Sequence, residues 1–263
     1  MIDAARPPVR PARPWLGAVL PLVLVGTWFL ATSVAHRFLP HQLPSPAQVA
    51  RAAWQLAAGG ELARHALASA ARVAAGFALG ASAALAAGTL VGLSRAAEAI
   101  VDPTLQVARN VPSLAWAPFL LLWLGIDEAP KVALIAIGAA FPVYLNLVVG
   151  IRQVDPALLE VGQVFGMTRG ELILRIVLPA AAPYLLAGLR IAIGQSWLFL
   201  VAAELIAATR GLGFLLIDGE NTARPDVMLV GILALAILGK LSDSALRRAA
   251  HRLVPWTSGS APR

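Results

Sequence analysis

The sequence predicts an all-α polytopic membrane protein with about six transmembrane helices. Three observations carry that reading. Of 263 residues, 59% are hydrophobic and only 13% are charged, whereas soluble domains run at about 45–50% apolar and about 25% charged. The apolar residues gather into charge-free runs, most of them near the roughly 20 residues that a helix needs to cross a bilayer. Between two of these runs lies a charged stretch, "EVGQVFGMTRGELILRIVLPAAAP", which starts at Glu160 and holds Pro179 and Pro183.

The elements follow in order. Residues 1–14 form a basic tail with Arg6, Arg10 and Arg13. Residues 15–35, from Trp15 to Ala35, carry no charge. That run exceeds the roughly 7–15-residue apolar core of a signal peptide, so a retained first span is expected. Residues 36–72 form an outer connector. In it "LPSP" sets a rigid turn, and Pro46–Ala58 and Glu61–Arg72 have helical composition on either side of Gly59-Gly60. The connector reads as packed, with a pair of helices lying on the membrane surface as the alternative. The second span is Val73–Ser94. Its Gly76, Gly80, Gly88 and Gly92 form a face on which helix backbones approach closely, within one bundle or between subunits. The third span is Asn110–Ile126, with its helix expected to begin near Leu105. The fourth is Val132–Ile151, and the fifth runs from Pro183 to Ala203 around Arg190. The sixth runs from Asp226 to Ala245, where Lys240 snorkels to the headgroups. Residues 73–250 are the core and 251–263 a tail, whose end "TSGSAPR" has too little apolar surface to order it.

The net charge is +7. With the N-terminus placed inside, twelve of the 21 lysines and arginines fall on inner segments and seven on outer ones. Arg109 and Arg190 remain within spans, toward their inner ends. This bias places both termini and residues 152–182 in the cytoplasm and 36–72 outside. It also accounts for the basic charge without a nucleic-acid partner. The chain has no cysteine, which removes disulfides, thiol nucleophiles and Cys-based metal sites. His36 and His41 flank a membrane boundary rather than form a metal site. No G-x4-G-K-[ST] pattern is present, so the chain holds no ATPase site of its own, and neither H-E-x-x-H nor G-x-S-x-G occurs. No metal or cofactor is expected on this chain, and no catalytic residue.

Residues 152–182 read as a helix–turn–helix elbow. Asp155 caps a helix with Pro156 at its first position, and Gly166 suits its C-terminal cap. Thr168 and Glu171 have capping-box spacing for a second short helix, which Pro179 is expected to end. Leu158, Leu159, Val161, Val164 and Phe165 are too apolar for a solvated loop, so part of this surface is expected to dock on a soluble partner.

The elbow carries a resemblance. Glu160, Gly162, Gly166 after three residues, Ile176 after nine more, then Leu178-Pro179 after one residue resemble the EAA loop of ABC importer permeases. The family's two alanines are Val161 and Gly162 here. Gly162 keeps its position small, whereas Val161 is bulkier. The similarity extends over about residues 40–245. "LPSPAQV", "GFALGASAALAAGTLVGLSRAAE", "RNVPSLAWAPFLLLWLGIDEAPKVALIAIGAAFPVYLN", "GIRQVD", "ILRIVLPAAAPYLLAGLRIAIGQSWLFLVAAEL" and "GLGFLL" look like the branch that imports aliphatic sulfonates, taurine, nitrate and thiamine precursors, the sulfonate permeases most of all.

The resemblance implies a type I ABC importer permease fold in a bacterial inner membrane, with the elbow as its coupling helix. It implies two copies of the permease around a pore, a cytoplasmic ATPase dimer that uses ATP and Mg and receives the elbows, and a periplasmic solute-binding protein. Glu160, Gly162, Gly166, Ile176, Leu178 and Pro179 would carry the coupling. Arg109, Asn110, Asn146, Arg190, Gln195 and Trp197 are candidates for the translocation path, because intramembrane polar groups usually face an interior or cavity. Each has a plainer alternative, namely snorkelling for the arginines and interhelical packing or hydrogen bonding for the rest. Glu204 marks the outer end of span five. A secondary transporter would instead need a coupling-ion site near the midplane, and a membrane-embedded enzyme would need convergent polar groups. The sequence shows neither.

Overall fold

A computed structural model describes residues 16–254 apart from His36 and Pro40. Trp15, the tails at 1–14 and 255–263, and His36 lie outside the described residues, and with them the readings made there. Among the described residues there is no strand. The helices are α1 (Leu16–Phe29), α2 (Pro46–Ala58), α3 (Glu61–Leu93), α4 (Arg95–Asn110), α5 (Ala117–Leu124), α6 (Glu128–Arg152), α7 (Pro156–Val164), α8 (Arg169–Leu172), α9 (Leu178–Ala207), α10 (Leu212–Asn221) and α11 (Pro225–Leu253). Among the described residues, five stretches are long and apolar enough to cross a membrane, and a bent pair is a sixth if counted as one span.

α1 continues through a π-helical turn, Leu30–Val34, and is largely exposed. Its anchor is Trp28. The indole N–H donates to the Pro44 carbonyl at 3.0 Å, and the ring packs on Val49, Ala52 and Val230. α2 begins at a Ser45–Gln48 capping box with Pro46 in its first turn, a common helix start. It packs on the start of α11, which favours the packed connector. Gly60, at φ 73°, turns the chain into α3. α3 then runs unbroken for 33 residues, about 50 Å. Residues 61–72 are therefore the first turns of the second span's helix, and no helix boundary falls at 72–73. Proline is absent from Glu61 to Leu93, so nothing there removes a backbone donor.

The glycines of α3 face α6 within the bundle. A Cβ on Gly76 would come within 2.6 Å of Ile135, on Gly88 within 3.1 Å of Leu147 and on Gly92 within 2.7 Å of Ile151. On Gly80 it would meet the Ala136 carbonyl oxygen at 2.3 Å. These contacts advance in the same direction on both helices, so α3 and α6 are parallel. The chain must therefore cross the layer again between residues 94 and 127. It does so as a bent pair, α4 followed by the 3-10 turn Ser113–Trp116 and α5, with a 90° bend between them.

This corrects the expected single helix from near Leu105 to Ile126. Pro112 disfavours helical backbone at the residue before it, and Val111 is extended at ψ 122°. The correction moves Arg109. It stands fourteen residues into α4, about 21 Å along it, beside the bend that joins α4 to α5.

α6 is the central and most buried of the long helices. α9 packs antiparallel to it, with Gly138 under Phe199 and Gly150 under Tyr184. α11 runs antiparallel to α9, pairing Asp243 with Arg190 and Gly239 with Trp197. The beginning of α1 and the end of α11 consequently lie at the same end of the bundle as α7. The start of α11, α2 and α10 lie at the other.

Candidate functional site

α7 is built as its sequence dictates. The Asp155 carboxylate accepts from the Ala157 N–H at 2.9 Å, and Pro156 opens the helix. At the other end Gly166 adopts φ 70°. Its N–H donates to the Gln163 carbonyl at 2.9 Å, and the Met167 N–H donates to the Gly162 carbonyl at 3.1 Å. That pair of bonds is a Schellman cap, which calls for the left-handed conformation glycine supplies. Thr168 and Glu171 then form a capping box.

The expected stop at Pro179 does not occur. α8 passes through a π-helical turn, Ile173–Val177, directly into α9. The Leu178 N–H reaches back to the Ile173 carbonyl, and Pro179 falls in the first turn of α9. A wider π turn ahead of it lets the chain pass a residue that lacks an N–H and would clash in a regular helix. The elbow's second arm is thus continuous with the start of the fifth span's helix.

Two contacts fasten α7 to that arm. A Cβ on Gly162 would meet Leu172 Cδ2 at 2.4 Å and Ile176 Cδ1 at 2.8 Å. Leu159 packs on the buried cluster of Leu147, Ile151, Val177 and Ala181. Leu178 and Pro179 are half-buried beside it. The opposite face of α7 is bare. Leu158, Val161, Val164 and Phe165 point outward, with Val164 86% and Phe165 78% exposed. Glu160 is exposed next to them and has no ion-pair partner among the described residues. The result is an apolar ridge with an acidic flank, rigidly joined to a long helix.

The candidate path residues do not converge. Arg109 and Asn110 are exposed at the end of α4. Asn146 donates to the Pro142 carbonyl at 2.8 Å and lies under Gly188 of α9. Gln195 is half-buried. Trp197 is buried and donates to Ser242 Oγ at 3.3 Å. Arg190 pairs with Asp243 at 3.0 Å, and its side chain is 46% exposed. Trp197 therefore acts as an interhelical contact, while Arg190 sits beside a counter-ion with part of its surface free.

At the end opposite the elbow lies a cluster that sequence reading did not assemble. Glu204 is fully buried near the end of α9. Its carboxylate accepts from Ser69 Oγ at 2.7 Å, from Arg72 Nη1 at 2.6 Å and from the Gly213 N–H at 2.7 Å. Arg72 forks onto Glu128 through Nε and Nη2, at 2.5 and 2.7 Å, and donates to the Arg210 carbonyl at 2.6 Å. Ser69 also accepts from the Leu212 N–H at 2.8 Å, and His65 Nδ1 accepts from the Gly211 N–H at 3.0 Å. Side chains of α3 and the backbone at the start of α10 thus meet at the Glu204 carboxylate of α9, and Arg72 links it to Glu128 of α6. The signal available in the sequence was a lone acid closing one apolar run and a lone base opening another at the same outer level.

Parallel α3 and α6, an antiparallel α9 and a capped elbow at one end define the membrane component of a transport system. The family described as binding-protein-dependent transport system inner membrane component matches residues 76–255, and the chain belongs to that family, with its all-helical type I ABC permease fold. A protein of Escherichia coli (strain K12) named as an aliphatic sulfonates transport permease is 41% identical over 250 residues, covering 94% of this chain and 95% of that protein. One of the same name from Bacillus subtilis (strain 168) is 38% identical over 250 residues, covering 95% and 90%. The taurine transport system permease protein of Escherichia coli (strain K12) is 39% identical over 163 residues, covering 62% and 59%.

Proposed function

We propose that this chain forms the translocation pathway of an ATP-driven importer for small organic anions, of which aliphatic sulfonates fit best. The observation that supports the importer reading is the bare apolar ridge of α7 on an otherwise well-packed elbow. It stands at the end of the bundle that the lysine and arginine pattern of the sequence would place in the cytoplasm, and its shape suits a groove on a soluble ATPase. The ATPase dimer would use ATP and Mg, while this chain would bind no cofactor or metal and contribute no ATPase site. A second copy of the chain would complete the pore, and a periplasmic binding protein would deliver the solute. Both termini and α7 would face the cytoplasm of a bacterium, with the protein in its inner membrane. An impermeant thiol reagent should then fail to label Gln163→Cys in intact cells, and labelling there would reverse the orientation.

The sulfonate reading rests on near full-length similarity to two proteins named for that solute. Taurine, nitrate or a thiamine precursor is the alternative. Growth on an alkanesulfonate as sole sulfur source separates them. Deleting the gene should abolish that growth. Unimpaired growth, with loss of taurine, nitrate or thiamine-precursor uptake instead, would overturn the solute and leave the importer standing.

A further inference from the structure

We infer that Glu204, Arg72 and Ser69 are positioning residues that tie the outer α9–α10 corner to the elbow, so that movement of α7 is delivered at the opposite side of the membrane. The inference rests on the importer reading above. Glu204 lies 26 residues beyond Leu178 on an unbroken helix, about 39 Å away. At the near end, Gly162 seats α7 directly on the turns that lead into α9. One rigid element therefore has the elbow at one end and the carboxylate at the other.

The corner is built around that carboxylate. Gly211 has φ 137°, and a Cβ on it would lie 2.3 Å from the Glu204 carboxylate; a Cβ on Gly213 would lie 2.7 Å from Glu204 Cβ. The backbone thus approaches the acid as closely as an absent side chain permits. Three donors converge on Glu204, two from side chains of α3 and one from the backbone of α10. No buried side-chain polar atom among the described residues lacks a partner. Fully satisfied buried networks of this kind rigidify the elements they join. Arg72 extends the tie to α6, because its planar fork holds Glu128 while Nη1 holds Glu204 and the Arg210 carbonyl. A lysine at this position has one charged atom and cannot span these partners.

The test uses Arg72→Lys in the reconstituted complex with its ATPase and binding protein. The chain lacks cysteine, so Gly170→Cys beside the elbow and Asn221→Cys at the end of α10 can each carry a spin label. Gly170 has open space around it and Asn221 is exposed. In the otherwise wild-type complex, ATP should change the distance between the two copies' labels at both positions. With Arg72→Lys, the elbow labels should still respond while the outer labels respond weakly, and solute transport should fall by about 2- to 30-fold, the range seen when coupling networks are cut. Basal ATPase activity should persist. Glu204→Gln, which sets an amide donor against backbone and side-chain donors, should behave alike. A purely structural cluster would lower thermal stability yet leave the two label responses in step, and that result would overturn the inference. If the otherwise wild-type elbow labels ignore ATP altogether, the importer reading fails instead.

Discussion

Gly166 gives the sharpest test of the elbow, because its surroundings isolate one physical effect. A Cβ at this position would have nothing within 4 Å, so a substitution meets no clash. What remains is the backbone, held at φ 70°. An L side chain in the left-handed region costs about 1–2 kcal/mol, and valine, branched at Cβ, lies at the upper end. Escape from that region breaks the two cap bonds, from Gly166 N–H to Gln163 and from Met167 N–H to Gly162, each worth about 0.5–1.5 kcal/mol net. The two bonds together are worth about 1–3 kcal/mol, so the cheaper route costs about 1–2 kcal/mol, a factor of about 5–30 in the ratio of native to displaced elbow. Gly166→Val should therefore reduce solute-stimulated ATPase activity by up to about that factor, while melting of the membrane core, which Gly166 does not touch, stays put. Gly166→Asn should remain close to the parent, since asparagine enters the left-handed region readily. A valine variant stimulated as fully as the parent would refute the claim that the capped turn sets the position of α7.

Two further outcomes follow from the geometry. At Gly162 the obstructing atoms are the tips of Leu172 and Ile176, which can turn aside at about 0.5–1.5 kcal/mol against a gain of about 0.8–1.0 kcal/mol in helix propensity; Gly162→Ala should thus be near neutral in coupled ATPase assays and Gly162→Leu inactive, and an active leucine variant would show that α7 does not seat on α8. If Arg190 guides an anion, the charge-neutral double variant Arg190→Gln with Asp243→Asn should import sulfonate as slowly as Arg190→Gln alone; recovery in the double variant would assign Arg190 to pairing with Asp243 and nothing more.

The sequence exposed what local chemistry controls. Asp155-Pro156, Gly166 and the Thr168–Glu171 box each act within a turn of backbone, so their reading transferred directly to α7 and α8. Features that depend on how a break is accommodated did not transfer. Pro112 and Pro179 look alike as letters. The first makes a 90° bend because Val111 before it is driven to extended backbone. The second is carried through because a π turn precedes it, and π turns leave no mark in apolar periodicity. The direction of the α3 glycine face was legible only as a choice between an internal seam and a subunit seam. It resolves once Gly76 and Gly92 are seen opposite Ile135 and Ile151.

The cluster around Glu204 was hardest to read. Ser69 and Arg72 lie more than 130 residues from Glu204, and nothing near either end names the other. Each charge alone had an adequate local explanation, as a positive residue outside the membrane or as the end of a span. Burial makes those explanations insufficient. Buried polar groups need hydrogen-bond partners, so a fully buried Glu204 demands donors from elsewhere in the fold. Arg72 is suited to supply them, because a guanidinium can serve two carboxylates and a carbonyl at once. The requirement was present in the sequence, but only the packing of α3 against α6 and α9 identifies what meets it.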